Sequence, residues 1–141
     1  MPARTATAIW NGNLQQGNGT LKTGSGAVQG AYSFPSRFED GQGTNPEELL
    51  GAAHAGCFST ALAASLSRQG FTVNNISTTA HVHLEKGEAG FSISRIDLVT
   101  RGSVEGIDDA KFKEAAEATK TGCIVSRALS AVPMTIDAAL A

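Results

Sequence analysis

The chain has 141 residues, 41% of them apolar, and this length suits one globular domain over residues 1–141. Twenty-two of the apolar residues are alanines, which bury little area, so the core of a single subunit should be thin. Eleven basic and 13 acidic residues give a net charge of −2 without a basic cluster. This balance argues against nucleic acid or an acidic membrane as the main ligand.

The N-terminal third has the pattern of a small sheet. It contains no apolar run of secretory length, so we interpret the protein as cytoplasmic. Residues 5–10 alternate and lead into Asn11-Gly12, a dipeptide that favours a two-residue type I′ hairpin turn. A second strand is predicted around 20–22. Alternation of aromatic residues over 32–37 predicts that a third strand continues as far as Arg37.

A long uncharged helix follows. Asn45 is the expected N-cap, Pro46 takes the first helical position, and Glu48 lies where a capping box places its acidic residue. The helix should run over about 46–69. Residues 49–67 contain no charged side chain, and a stretch of this length raises the question of a membrane span. However, its glycine, histidine and hydroxyl residues lower the hydrophobicity of the stretch. We predict instead a buried central helix, covered partly by the second subunit of an intertwined homodimer, and no membrane segment.

The remaining pattern predicts strands and helices in alternation. His81 and His83 share one face of a strand whose other face is apolar, and a parity change at Ser94-Arg95 predicts a β-bulge in the next strand. Asp108 is the expected N-cap of a helix that ends at Lys120. A short helical turn and a closing strand over 132–140 complete the order β-β-β-α-β-β-α-α-β, an α+β fold.

Two cysteines, Cys57 and Cys123, lie 66 positions apart without a CxxC motif. In a reducing compartment they are inert thiols, a metal pair or a redox couple. For Cys57, in mid-helix, the role of a small buried hydrophobic residue is favoured. Cys123 follows Gly122 at a helix start, where unpaired N–H groups lower a thiol pKa, and a reactive or a merely tolerated cysteine fits equally well.

Charged and imidazole side chains offer further chemistry. Arg37 is either a solvated arginine or the cation that a buried thiolate needs. Glu48 lies nine residues before Cys57, so the two point to opposite sides of one helix and cannot meet there. A Cys/His metal site is a rival hypothesis, because His54 shares a helix face with Cys57 and two further histidines lie on one strand. No compact ligand motif supports it.

Two segments and one upstream residue resemble a known family. They are TNPEELLGAAHAGCFS at 44–59, GCIVS at 122–126, and Arg37 shortly before the first segment. The chain resembles, over essentially its whole length, the osmotically inducible protein C and organic hydroperoxide resistance (OsmC/Ohr) family of thiol peroxidases, and is closer to the OsmC branch. One departure is Ile124, where the family commonly has proline.

The resemblance implies an OsmC-like fold and a homodimeric peroxidase that reduces organic hydroperoxides. It makes Cys57 the peroxidatic cysteine and Cys123 the resolving one, with Arg37 and Glu48 as the pair that activates and positions the thiolate. It implies a dithiol reductant of the lipoyl type and no cofactor or metal. We further expect an apolar pocket around Phe34, Phe38 and Phe58. A redox sensor that does not turn over, or a Cys/His metal-binding protein, is the alternative.

Overall fold

The computed structural model describes residues 1–141, which form four helices and two three-stranded sheets. By contact pattern the chain divides into two compact units, Met1–Leu49 and Leu50–Ala141. The predicted α+β class is confirmed. The element order is β-β-β-α-α-β-β-α-α-β, one short helix more than predicted.

The first unit contains an antiparallel sheet of three short strands in the order β1-β2-β3. These are β1 (Ala6–Asn11), β2 (Asn18–Thr23) and β3 (Gln29–Tyr32). The predicted two-residue turn is wrong, because Asn11 pairs with Asn18 across a longer connection. Gly12 takes a φ of +90°, and Asn13 closes the loop by accepting hydrogen bonds from the N–H groups of Gln16 (2.8 Å) and Gly17 (2.9 Å).

The predicted third strand ends early, at Tyr32, and a short helix α1 (Phe34–Phe38) follows. A capping box causes the change: Ser33 Oγ accepts from the N–H of Ser36, and Ser36 Oγ accepts from the N–H of Ser33. Pro35 occupies the first turn, where its fixed φ suits a helix. The chain therefore carries Arg37 in a helical turn and not along a strand.

Helix α2 (Pro46–Arg68) begins at the predicted residue, and Asn45 Oδ1 accepts from the N–H of Glu48 at 2.7 Å, but the reciprocal half of the predicted capping box is replaced by a hydrogen bond from Thr44 Oγ1 to Glu48 Oε2. Within this chain the helix buries one stripe, formed by Gly51, His54, Phe58, Leu62 and Leu66. The opposite face is exposed and uncharged, and consists of Ala52, Ala53, Gly56, Thr60 and Ala64. Residues of this chain therefore do not cover the helix on all sides. Its length and composition would also allow a membrane span, a property shared by core helices of soluble proteins.

The second unit contains the other sheet, in which β4 pairs antiparallel with β5 and β5 pairs parallel with β6. The strands are β4 (Thr72–Gly87), β5 (Gly90–Glu105) and β6 (Met134–Leu140). His83 pairs with Arg95 and Leu84 with Ile93, so Ser94 is an extra residue in β5. The predicted β-bulge is thereby confirmed.

Two helices complete the second unit, α3 (Asp109–Gly122) and α4 (Ile124–Ala128). The predicted cap is confirmed, because Asp108 Oδ1 accepts from the N–H of Lys111 at 2.8 Å. The helix runs two residues beyond the predicted end at Lys120, and Cys123 is both the C-cap of α3 and the N-cap of α4. Cys123 is buried with the core, whose largest members are Phe58, Leu62, Leu66, Ile96, Leu98 and Phe112.

Candidate active site

The two cysteines lie together in the second unit, both as free thiols that are close enough to shift each other's pKa. Cys57 is half-buried on α2, and Cys123 is buried at the junction of α3 and α4. Backbone groups in the first turn of α4 lower the pKa of both thiols, those of Val125 and Ile124 acting on Cys57 and those of Ser126 and Val125 on Cys123, although no N–H of this turn forms a cap hydrogen bond with the Cys123 side chain. The structure thus brings together two thiols that are 66 residues apart in sequence.

The environments of the two thiols shift their pKa values in opposite directions. Burial is the main cause that raises the pKa of Cys57, and the neighbouring Cys123 raises it further, against the N–H groups of Val125 and Ile124. Burial also opposes ionisation of Cys123. There, however, hydrogen bonds from the Ser126 N–H, the Cys57 thiol and the Ser126 hydroxyl together outweigh burial, and the pKa of Cys123 is lowered.

A buried hydrogen bond lies beside the thiols, between His54 Nε2 and Ser126 Oγ at 2.7 Å. His54 is fully buried on α2, and burial lowers its pKa, which favours the neutral imidazole. Ser126 was not among the predicted site residues, although its position three residues after Cys123 in a helix start could have indicated a role.

In the first unit, Arg37 is paired with Glu47. Its Nε and Nη2 atoms both lie 3.0 Å from Glu47 Oε1. The side chain of Glu47 is only 9% exposed, and its second oxygen, Oε2, is buried without a hydrogen-bond partner. The guanidinium carbon also lies 5.2 Å from the centre of the Phe38 ring, a cation–π contact.

Glu48, the carboxylate named in the sequence analysis, is not the one that the structure brings to Arg37. It is exposed and accepts a hydrogen bond from Thr44 Oγ1 at 2.7 Å. Consecutive residues of a helix point about 100° apart, so only one of two adjacent glutamates can face a given neighbour. The sequence analysis missed Glu47. The buried stripe of α2, which begins on that side of the helix, is the feature that distinguishes the two.

A pocket of about 240 Å³ adjoins Arg37 in the first unit. Its walls are mostly aromatic: Trp10 and Tyr32 have ring centres 5.2 Å apart, and those of Phe34 and Phe38 are 5.0 Å apart. The expected lining by Phe34 and Phe38 is thus present. Phe58 does not share that role, because its side chain is fully buried in the core of the second unit.

The structure contains no group of three or more His, Cys, Asp or Glu side chains arranged to hold a metal ion. The strand histidine His83 hydrogen-bonds to Asp97 Oδ2 at 2.7 Å and does not approach a cysteine.

Comparison with known proteins bears on the whole chain. Residues 39–137 match the family model described as OsmC-like protein. The chain is 48% identical over 131 residues to the peroxiredoxin OsmC of Escherichia coli strain K12, covering 92% of this chain and 91% of the relative. It is 25% identical to the organic hydroperoxide resistance protein OhrB of Bacillus subtilis, with a TM-score of 0.73 and coverage of 97% and 98%. An organic hydroperoxide resistance protein from Elizabethkingia anophelis, 20% identical, shares the fold with a TM-score of 0.76 and coverage of 99% of both chains.

Proposed function

The chain belongs to the OsmC-like protein family and is a cysteine-based peroxidase, and we propose that it reduces organic hydroperoxides to alcohols by attack of Cys57. The observation that carries this proposal is the close approach of two free thiols, Cys57 and Cys123, which are the only cysteines of the chain and shift each other's pKa. The names of the relatives in Escherichia coli and Bacillus subtilis support the same activity and a role in hydroperoxide defence. Residues 1–141 act in this scheme as one peroxidase domain.

The proposed cycle uses both thiols. The Cys57 thiolate attacks the terminal oxygen of the hydroperoxide, the O–O bond breaks, and the alkoxide leaves and takes a proton to become the alcohol. Cys57 is then a sulfenic acid. Cys123 attacks this sulfur, water leaves, and a Cys57–Cys123 disulfide forms. A dithiol reductant restores both thiols by exchange, and we propose a lipoyl-type dithiol for this step.

Ionisation of Cys57 needs help, because its burial raises its pKa. We assign this help to Arg37, whose positive charge favours a thiolate and the negative charge that develops on the departing oxygen. Glu47 holds the Arg37 guanidinium through one hydrogen bond from Nε to Oε1 and an ion-pair contact of Nη2 with the same oxygen. Glu48 contributes by fixing the start of α2 through Thr44, next to Glu47.

The substrate class follows from the surroundings of Arg37. The aromatic pocket beside it can hold an alkyl or aryl group, whereas hydrogen peroxide gains nothing from apolar walls. A pocket of about 240 Å³ suits a small organic hydroperoxide such as cumene hydroperoxide. We propose that the protein is soluble and cytoplasmic, with α2 as a core helix.

The assembly that we propose is a homodimer. The exposed face of α2 carries only small, uncharged residues, and such a face allows a second helix to approach closely. We place the contact between the two copies of α2 on this face.

Peroxide consumption by the reduced protein tests the function. Cumene hydroperoxide, a catalytic amount of protein and an excess of dihydrolipoamide should give many turnovers per protein molecule. Cys57→Ser should abolish consumption, whereas Cys123→Ser, treated with the hydroperoxide in the absence of any thiol reductant, should consume about one equivalent and stop as a sulfenic acid that dimedone traps. A wild-type protein that is oxidised once and not recycled by several dithiols would overturn the peroxidase proposal in favour of a redox sensor.

A further inference from the structure

The His54–Ser126 pair has no part in the cycle described above. The two side chains join α2 to α4 through a 2.7 Å hydrogen bond in the interior, where His54 is 0% and Ser126 is 3% exposed. His54 precedes Cys57 by three residues, and Ser126 follows Cys123 by three. The bond therefore links the same two segments that carry the thiols.

Ser126 stands between the imidazole and one sulfur. Its hydroxyl hydrogen-bonds to His54 Nε2 at 2.7 Å on one side and, on the other, is close enough to the Cys123 thiol to lower the pKa of that group. A hydroxyl has one proton to donate, and a thiolate has none. When Cys123 is ionised, the Ser126 proton must point to the sulfur, and His54 must donate its Nε2–H to Ser126 Oγ.

The other imidazole nitrogen agrees with this arrangement. His54 Nδ1 is buried without a partner. If Nε2 carries the proton, Nδ1 is a bare lone pair, and a buried acceptor without a partner is tolerated more often than a buried N–H. The alternative tautomer would bury an unsatisfied N–H at Nδ1 and turn the Ser126 hydroxyl away from the sulfur.

We propose that His54 and Ser126 are positioning residues for the resolving cysteine, and that their chain of hydrogen bonds stabilises Cys123 as the leaving thiolate when the disulfide is reduced. The proposal rests on the disulfide cycle proposed above. The thiolate of a dithiol attacks the Cys57 sulfur, the S–S bond breaks, and its electron pair leaves on Cys123. The second thiol of the reductant then displaces Cys57, so that the dithiol becomes a cyclic disulfide and the protein gains two electrons. A stabilised leaving thiolate makes the first of these steps faster.

The equilibrium between the protein disulfide and dithiothreitol provides the test. Ser126→Ala and His54→Phe each remove a hydrogen-bond donor from the series that runs from His54 through Ser126 to Cys123. We therefore expect the equilibrium to shift about tenfold toward the protein disulfide, which equals about 30 mV for a two-electron couple. Reduction by dithiothreitol should slow by about the same factor. Ser126→Thr keeps the hydroxyl and should restore most of both losses. Ser130→Ala is the matched control, because Ser130 lines the same cleft as Ser126 but forms no hydrogen bond with His54 or Cys123.

The imidazole tautomer gives a second readout on the wild-type protein, which requires no substitution. Nitrogen-15 NMR of the reduced protein should show His54 neutral and protonated at Nε2. Protonation at Nδ1, or a disulfide equilibrium in Ser126→Ala equal to that of Ser130→Ala, would overturn the inference while leaving the peroxidase cycle intact. If the wild-type protein never forms the Cys57–Cys123 disulfide with peroxide, the proposed function fails instead.

Discussion

Two nitrogen atoms of Arg37 contact the same carboxylate oxygen of Glu47: Nε and Nη2 each lie 3.0 Å from Oε1. The carboxylate is nearly buried, whereas the guanidinium is 38% exposed. If the charge of the Glu47 carboxylate is removed, the Arg37 guanidinium loses its ion-pair partner, so its side chain moves or binds water. The pair therefore fixes where the positive charge of Arg37 points.

Substitution of the two adjacent glutamates separates their roles. Glu47→Gln removes the charge that holds Arg37, and loss of a charge-assisted hydrogen bond of about 1.5–3 kcal/mol should lower kcat/KM for cumene hydroperoxide at least about tenfold. Glu48→Gln weakens only an exposed bond to Thr44, so we expect a loss below about threefold. Steady-state rates with each variant measure the difference. An equal or larger loss in Glu48→Gln would contradict the assignment of Arg37 to Glu47.

Local signals in the sequence account for the features that were predicted correctly. The start of α2 depends on Asn45 and the N–H three residues later, and the bulge at Ser94 depends on a change of alternation within one strand. Asp108 caps α3 in the same local way. Each of these features involves residues within a few positions of one another, and side-chain chemistry at that range is readable from the sequence.

The features that were missed depend either on competition between two local structural preferences or on contacts between residues far apart in the sequence. Alternating aromatic residues after Tyr32 fit a strand, but the reciprocal Ser33–Ser36 cap outweighs that pattern and starts α1. Helical geometry alone does not distinguish Glu47 from Glu48, because the choice depends on Arg37, ten residues away in sequence. The His54–Ser126 bond joins residues 72 positions apart, which no spacing rule covers.

The pH at which Cys57 ionises should depend on Cys123. Burial is the first cause that raises the pKa of Cys57, and the hydrogen bond and charge of Cys123 raise it further. Cys123→Ser removes the ionisable sulfur but leaves the burial, so the thiolate of Cys57 should form at lower pH. Thiolate absorbance and the rate of iodoacetamide alkylation over a pH series measure the shift. Ser130→Ala is the control. If the titration curve of Cys57 in Cys123→Ser coincides with that of the wild type, or lies at higher pH, Cys123 does not oppose ionisation of Cys57.

Gly102 in β5 has no room for a side chain. A Cβ there would lie 2.5 and 2.7 Å from ring carbons of Phe112 and 3.1 Å from Ile76 Cδ1. Gly102→Ala should therefore lower the free energy of unfolding by about 1–3 kcal/mol through overpacking. Gly122→Ala is the matched control, since its Cβ would meet nothing within 4 Å at the end of α3. Urea denaturation compares the two, and equal stability would mean that Phe112 moves aside without cost.

Asp97 connects the three strands of the second sheet. The hydroxyl of Thr135 is the main cause that lowers the pKa of Asp97 from 3.8 to about 2, and hydrogen bonds from His83 and Arg95 act in the same direction. A carboxyl group with a lowered pKa stabilises the fold above its ordinary pKa, and this stabilisation is lost as the pH falls through the folded-state value. Asp97→Asn should therefore be less stable than wild type at neutral pH.

The stability difference for Asp97→Asn should narrow as the pH falls from about 4 toward 2, where the wild-type carboxyl becomes protonated. Thermal denaturation at several pH values measures it. Asp137→Asn serves as the control, because the Asp137 side chain is 65% exposed and its contact with Arg101 is a surface ion pair. A difference that stays constant down to the lowest pH would assign the effect to packing and not to charge.

The exposed face of α2 provides the test of the proposed homodimer. Gly56 lies at its centre, and a Cβ at this position would meet nothing within 4 Å of the same chain. Gly56→Lys should therefore leave the subunit folded, with unchanged helical circular dichroism, while its charge and bulk prevent two copies of α2 from packing closely. Sedimentation velocity at micromolar concentration should show a dimer for wild type and a monomer for the variant. Ala118→Lys, on the exposed side of α3, adds the same charge away from the contact and should remain dimeric. A Gly56→Lys protein that sediments as the wild-type dimer would place the contact elsewhere, because an ammonium group buried without a partner between two helices costs far more than such a small interface contributes.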